Sequence, residues 1–148
     1  MAIVFETDNF QVTAPEKPHI DRDDGGHLRI APKIPIEDRT KLSPRLACEC
    51  MKLTMVCGEA MAIVMPKRGV DIGRINYQDN GNWLPTFHIH VYGRARTAKT
   101  QKFGDAMILP QRSTGFYDTF GPLTEEDVRA LHEEIQRLWK SEKYRTFM

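Results

Sequence analysis

Between Ser43 and Pro66 apolar residues recur at intervals of three and four: Leu46, Cys50, Leu53, Cys57, Ala60 and Val64. That repeat marks one face of a helix. Ser43-Pro44 supplies an N-cap followed by a proline at the first helical position, so a helix is predicted over 44–65 with Pro66 as its stop. Met51, Met55, Ala62 and Met65 lie outside the stripe. A helix apolar on more than one side is either deeply buried or shared with a partner. The segment Phe87–Gly93 follows a period of two instead, with His88, His90 and Tyr92 on one face and Phe87, Ile89 and Val91 on the other, which is the pattern of a strand. Further strands are predicted at Ile3–Glu6, Phe10–Thr13, His27–Pro32 and Val70–Tyr77. Asn80-Gly81 reads as a hairpin turn leading into a strand over Trp83–Arg94, which would bring Asn76 beside the histidine face. Thr124 before Glu125-Glu126-Asp127 caps a last helix to about residue 141, with Val128, Leu131, Ile135, Leu138 and Trp139 as its apolar stripe.

Strands, helix, strands, helix in that order predict an α+β fold: an antiparallel β-sheet with one long central helix and a C-terminal helix. The 148 residues suffice for a single domain, with 96–148 as a C-terminal extension in which 95–120 has no assigned element. A net charge of +1 offers no broad field for nucleic acid or an acidic membrane. No apolar run reaches the ~20 residues that span a bilayer, and the first residues lack the basic start of a secretion signal. Cys48, Cys50 and Cys57 fall in the long helix without a CxxC spacing, which suits a reducing, cytoplasmic setting and buried thiols. Asp23-Asp24-Gly25-Gly26 is expected to be a solvated turn rather than a cation site, and His132 to sit on the polar side of the last helix.

Two imidazoles and a phenol aligned on a core strand are costly to bury without partners. Three chemistries use such a row. A metal would need a third ligand, which His27 alone could offer. The histidines could be structural, satisfied by neighbours. Or one imidazole could attack phosphorus as a nucleophile.

The third reading gains from a resemblance. Gly26-His27-Leu28-Arg29-Ile30-Ala31-Pro32-Lys33 resembles the Gly/Thr-His-φ-φ-φ-x-Pro-Lys strand of the histidine-triad (HIT) superfamily of nucleotide hydrolases and transferases, where φ is an apolar residue. His88-Ile89-His90-Val91-Tyr92 resembles its His-φ-His-φ-His signature, and Asn76 resembles the Asn that precedes the signature. The likeness spans about residues 1–95 and implies a HIT-like fold. It implies His90 as the nucleophile forming a nucleotidyl-imidazole, with His88 orienting it. It implies His27, Asn76 and Tyr92 as substrate-binding residues, a nucleotide or other phosphorylated small molecule as partner, and no cofactor or metal. HIT-like proteins commonly pair, so a homodimer through helix 44–65 is expected.

Three positions depart from the pattern. Tyr92 replaces the third histidine, Trp83-Leu84-Pro85 stands where Gly-Gln-Ser is frequent, and His19 takes the place of the ribose-binding acid. Tyr92 is neutral near pH 7, and Pro85 has neither hydroxyl nor N–H. Weak protonation of a poor leaving group is therefore expected, with slow cleavage of phosphoramidates and dinucleoside polyphosphates. The alternatives are a binding protein that kept the pocket and lost the chemistry, and a His-x-His metal-binding protein.

Overall fold

The computed structural model describes residues 1–145. Its sheet has five antiparallel strands, β1 (Ala2–Glu6), β2 (Phe10–Ala14), β3 (His27–Pro32), β4 (Ile72–Gln78) and β5 (Ile89–Ala95), in the order β1-β2-β3-β5-β4. The long helix α1 (Pro44–Lys67) joins β3 to β4, and α2 (Glu125–Trp139) and the short α3 (Glu142–Arg145) follow the extension. The predicted α+β class and every predicted element type are present.

Alternation along the strands divides the sheet into two faces. Val12, Leu28, Ile30, Ile89 and Val91 are buried in one core with Leu53, Val56, Cys57, Ala60 and Met61 of α1 and Leu131 and Ile135 of α2. At 20–33 cal/mol per Å² of apolar surface, this helix-covered face is the main stabilising layer. The opposite face carries the polar row. His27 pairs with Tyr92 and Arg29 with His90 across β3–β5, while Asn76 pairs with Tyr92 and Gln78 with His90 across β4–β5. Residues 14–26 and 96–122 lie over this second face.

Two boundaries and two burials differ from the sequence reading. Pro66 lies inside α1, and the helix ends at the Arg68 cap; the ring removes the one donor owed to the Ala62 carbonyl, and the end closes with the Arg68 and Val70 N–H groups on the Met65 carbonyl and the Gly69 N–H on that of Pro66. Asn80-Gly81 does not make a tight hairpin. Gly81 has positive φ, but residues 79–88 form one long loop before β5, and Pro85 there cannot donate to a ladder. Cys48 is exposed while Cys50 and Cys57 are buried, because Cys48 falls between turns of the stripe. Asp24 is buried, not solvated: its carboxylate accepts the backbone N–H groups of Lys99, Thr100 and Gln101 at 2.8–3.0 Å.

Gly25 and Gly93 let two backbones touch. A Cβ on Gly25, whose φ is +152°, would lie 1.7 Å from the Gly93 carbonyl oxygen, and one on Gly93 would lie 2.2 Å from that of Gly25. This contact draws the 14–26 segment down onto β5 and sets His19 over the polar row.

Candidate active site

β3 and β5 present His27, His90 and Tyr92, while His88 precedes β5 by one residue. His90 and Tyr92 stack with ring centroids 5.5 Å apart and planes 9° from parallel. His27 lies 4.9 Å from His90. His19, 4.8 Å from both His27 and His90, completes the cluster from the 14–26 segment. Asn76 is opposite Tyr92 as expected, but its side-chain oxygen accepts from Arg94 Nη1 at 2.6 Å, and it does not line the cavity in front of the histidines. His132 bonds the Val4 carbonyl through Nδ1 and ties α2 to β1.

The imidazoles form a directed chain. The His19 backbone N–H donates to His27 Nδ1 (3.1 Å), so a neutral His27 carries its proton on Nε2. That nitrogen is 2.8 Å from His90 Nδ1, which must accept, leaving the His90 proton on Nε2. His90 Nε2 is 3.1 Å from His88 Nε2, which accepts in turn. The His88 proton is then on Nδ1, where it donates to the Thr86 carbonyl at 2.7 Å. A fixed backbone donor at one end and a fixed acceptor at the other set every tautomer between them.

Burial keeps His19, His27 and His90 uncharged near neutral pH. His27 is held well below the ordinary histidine range, first by desolvation and then by His90, His19 and nearby arginines. His90 is lowered to about 3, by burial and then by His19, His88 and Arg29. His19 is lowered to about 4, by burial and then by Arg112 and His88. Burial also raises the Tyr92 phenol, which therefore keeps its proton at neutral pH.

The rings open into a cavity of about 350 Å³. Lys17, Arg29 and Arg112 give its wall positive charge, and Trp83, Leu84 and Leu109 give it an apolar side. Arg112 also donates to the Lys17 carbonyl. The wall can thus hold an anion and an apolar ring together. His19, His27 and His90 each bring a ligand-type nitrogen within 4.8 Å of the others, so His27 is not the sole candidate for a third ligand. A metal at His27 Nε2 would need the remaining ring proton on Nδ1. There it would face the His19 N–H head on, so the donor set as arranged does not fit a metal.

The sequence reading noted His19 only as a departure at the place of the ribose-binding acid, and missed Gln101, Arg29 and Arg112 as parts of this site. Gln101 is fully buried, donates to the His19 and Ile108 carbonyls and accepts from the Ile108 N–H. It fixes His19 from 82 residues away. The coincidence of two departures, an imidazole at position 19 and a phenol at position 92, was the one available signal.

Fold and site together define an antiparallel α+β protein with a cluster of imidazoles facing a cationic cavity. The chain belongs to the histidine-triad family: the model described as HIT domain matches residues 2–97. Its structure is similar to a histidine triad protein from Marinobacter aquaeolei VT8 at 15% identity, with TM-score 0.64 over 92% of this chain and 86% of that one. A Zn-bound histidine triad family protein from Mycobacterium smegmatis is 18% identical, with TM-score 0.60 over 92% and 84%. A hypothetical histidine triad nucleotide-binding protein from Sulfolobus tokodaii strain7 is 14% identical, with TM-score 0.62 over 93% and 85%. None of the curated proteins matches the chain.

Proposed function

We propose that the protein binds a nucleotide or related phosphorylated small molecule and transfers its nucleotidyl group to His90 and then to water or another acceptor. One observation carries this reading: His90 is neutral and tautomerically fixed beside a cationic cavity. Its single lone pair is the one that accepts from His27. A phosphoryl group entering between the two rings takes the His27 N–H onto a phosphoryl oxygen and frees that lone pair for attack at phosphorus. The P–X bond breaks as the P–N bond forms. The His90 Nε2–H stays on His88, which shares the positive charge that develops on the ring. Water then attacks phosphorus, the P–N bond breaks, and a nucleoside monophosphate leaves.

Lys17, Arg29 and Arg112 offer charge to the phosphate, and Trp83 and Leu84 offer an apolar surface to a base. Positioning and charge of this kind dominate phosphoryl transfer. The zinc named for the Mycobacterium smegmatis protein is not carried over, because the His27 tautomer opposes it. The test is to mix the protein with a nucleotidyl substrate, quench within one turnover and look by mass spectrometry for an acid-labile nucleotidyl adduct. An adduct on the His90 peptide, lost in His90→Ala, is the expected result. Tight nucleotide binding without an adduct would favour a binding protein that kept the pocket.

The reading includes a homodimer through α1, whose Met51 and Met55 are exposed together with Tyr77 of β4. Three free cysteines suit a cytoplasmic protein, and among the described residues no helix is long and apolar enough to cross a membrane. Light scattering at micromolar concentration should give twice the chain mass; a monomer would remove the dimer.

A further inference from the structure

Tyr92 stands at the signature position where a third histidine is usual, and its side chain is buried. Among the described residues the hydrogen-bond partner of its hydroxyl is His19 Nδ1, at 2.7 Å. A phenol that holds its proton donates it, so Nδ1 accepts and the His19 proton lies on Nε2. His19 lines the cavity beside His90 and has the edge of Trp83 against it at 5.5 Å. It meets the row at its Tyr92 end, while His88 occupies the other. Its main chain is held from both sides: its N–H is on His27 and its carbonyl is on Gln101. A loop residue fixed this firmly is more than a lining side chain.

We propose that His19 is the proton donor to the leaving group, and that Tyr92 is the residue that positions it. The proposal rests on the nucleotidyl-transfer reading above and names its substrate class: nucleoside phosphate esters and phosphoramidates whose alcohol or amine leaves only with a proton. The expected weakness of leaving-group protonation is thereby reversed, because the acid comes from the 14–26 segment rather than from β5.

The proton is accounted for at each step. Binding of an anionic phosphoryl group favours the cationic imidazole, and His19 takes up one proton from the bulk solvent. Its Nδ1–H then donates to the Tyr92 oxygen, since a hydroxyl can turn from donor to acceptor. Its Nε2–H faces the bridging atom. As the P–X bond breaks, that proton passes to X, which leaves as neutral alcohol or amine, and His19 becomes neutral with Nδ1–H on Tyr92. In the second step water attacks phosphorus and gives its proton to solvent, the P–N bond breaks and His90 is regenerated, while His19 regains its Nε2 proton by exchange with solvent.

The experiment compares two substrates with the same nucleoside monophosphoryl group: an alkylamine phosphoramidate and a p-nitrophenyl ester, whose phenolate departs without a proton. His19→Gln should lower turnover of the phosphoramidate by roughly 10²-fold or more, the scale of general acid catalysis, and that of the nitrophenyl ester by less than about threefold. The ester thus also reports folding. Tyr92→Phe, which removes only the hydroxyl, should lower phosphoramidate turnover by about tenfold, below the full effect of a general acid, and move its pH profile, with a smaller loss on the ester. Equal losses on both substrates in His19→Gln would overturn the proposal. So would wild-type protein that cleaves the ester through His90 and leaves the phosphoramidate untouched. Wild-type protein inert toward both would overturn the nucleotidyl-transfer reading itself.

Discussion

Two buried polar networks in this molecule obey opposite rules. Around Asp127 the groups are ionic. Its carboxylate receives two bonds from Arg22, at 2.8 and 2.9 Å, one from Arg68 and one from the Thr124 N–H. Burial alone would raise this carboxyl, but hydrogen bonds from Arg22 and Arg68 outweigh it and hold the group well below the ordinary range. No proton has reason to move there at neutral pH, and the network serves to pin α2 against Arg22 of the N-terminal loop and Arg68 at the end of α1. Around His90 the groups are neutral, and each nitrogen has one partner and one direction. Moving a single proton re-addresses the whole chain. Satisfied charges make a joint; neutral groups with every donor matched to one acceptor make a device that can change state.

The largest difference should appear on breaking each network at its centre. If the nucleotidyl reading holds, His90→Ala should lower turnover by roughly 10²-fold or more while nucleotide binding, read by titration calorimetry, persists. Unchanged turnover would remove His90 from the chemistry. Asp127→Asn should leave the histidine chain intact and destabilise the fold. Breaking a buried ion pair costs about 3–5 kcal/mol, and the two arginines are partly exposed, so the lower end is expected, with Tm down by roughly 6–12 °C.

Acid should separate the networks next. His19, His27 and His90 titrate below their ordinary value near 6.5, so above that pH they are neutral in both the folded and unfolded states. As pH falls below about 6.5 the unfolded chain binds protons that the folded one refuses, and stability declines toward pH 4, with a slope on the order of 1 kcal/mol per pH unit for each of the three groups. Asp127 contributes only lower, below its unfolded value of 3.8. Urea melts at pH 7.0, 5.5 and 4.5 should show the decline, and His90→Asn should reduce it. A flat profile would mean that the cluster takes up protons freely.

Smaller effects sit at the edges. Thr124→Ala removes half of a capping box with Asp127 and should cost about 1 kcal/mol, read as a shift in the urea midpoint. Iodoacetamide should label Cys48 and spare Cys50 and Cys57. Cys50 is raised to about 11 and Cys57 further, both chiefly by burial. Labelling Cys48 should shift Tm by no more than about 1–2 °C, the scale of a surface change.

The helix-covered half of the fold was legible in the chain because its signals are local. The repeat from Leu46 to Val64 and the alternation from Phe87 to Val91 each determine a face within a dozen or two residues. The row of His88, His90 and Tyr92 follows from the same alternation, and the place of Asn76 beside that row follows from the antiparallel return. The other half was hidden because its contacts are remote. Asp21 and Asp24 accept N–H groups 75–100 residues away, and Gln101 reaches His19 across 82. A histidine in a proline-rich loop carries no periodicity that could announce it. The strand predicted from Trp83 fails for a local reason: Pro85 removes a donor, and the loop before β5 instead turns Trp83 and Leu84 toward the cavity.

The hold of Gln101 on His19 also sets an order of assembly at the ribosome. Residues 1–95 emerge first and can pair β3 with β5, joining His27 to His90. His19 has no anchor until Gln101 has left the exit tunnel, and Arg22 has no carboxylate clamp until Asp127 follows. At roughly 5–20 residues per second, Gln101 follows residue 95 within about a second and Asp127 within several, so the nascent chain can join His27 to His90 while its 14–26 segment is still unfastened. A segment translated later closes a site whose central histidines were made earlier.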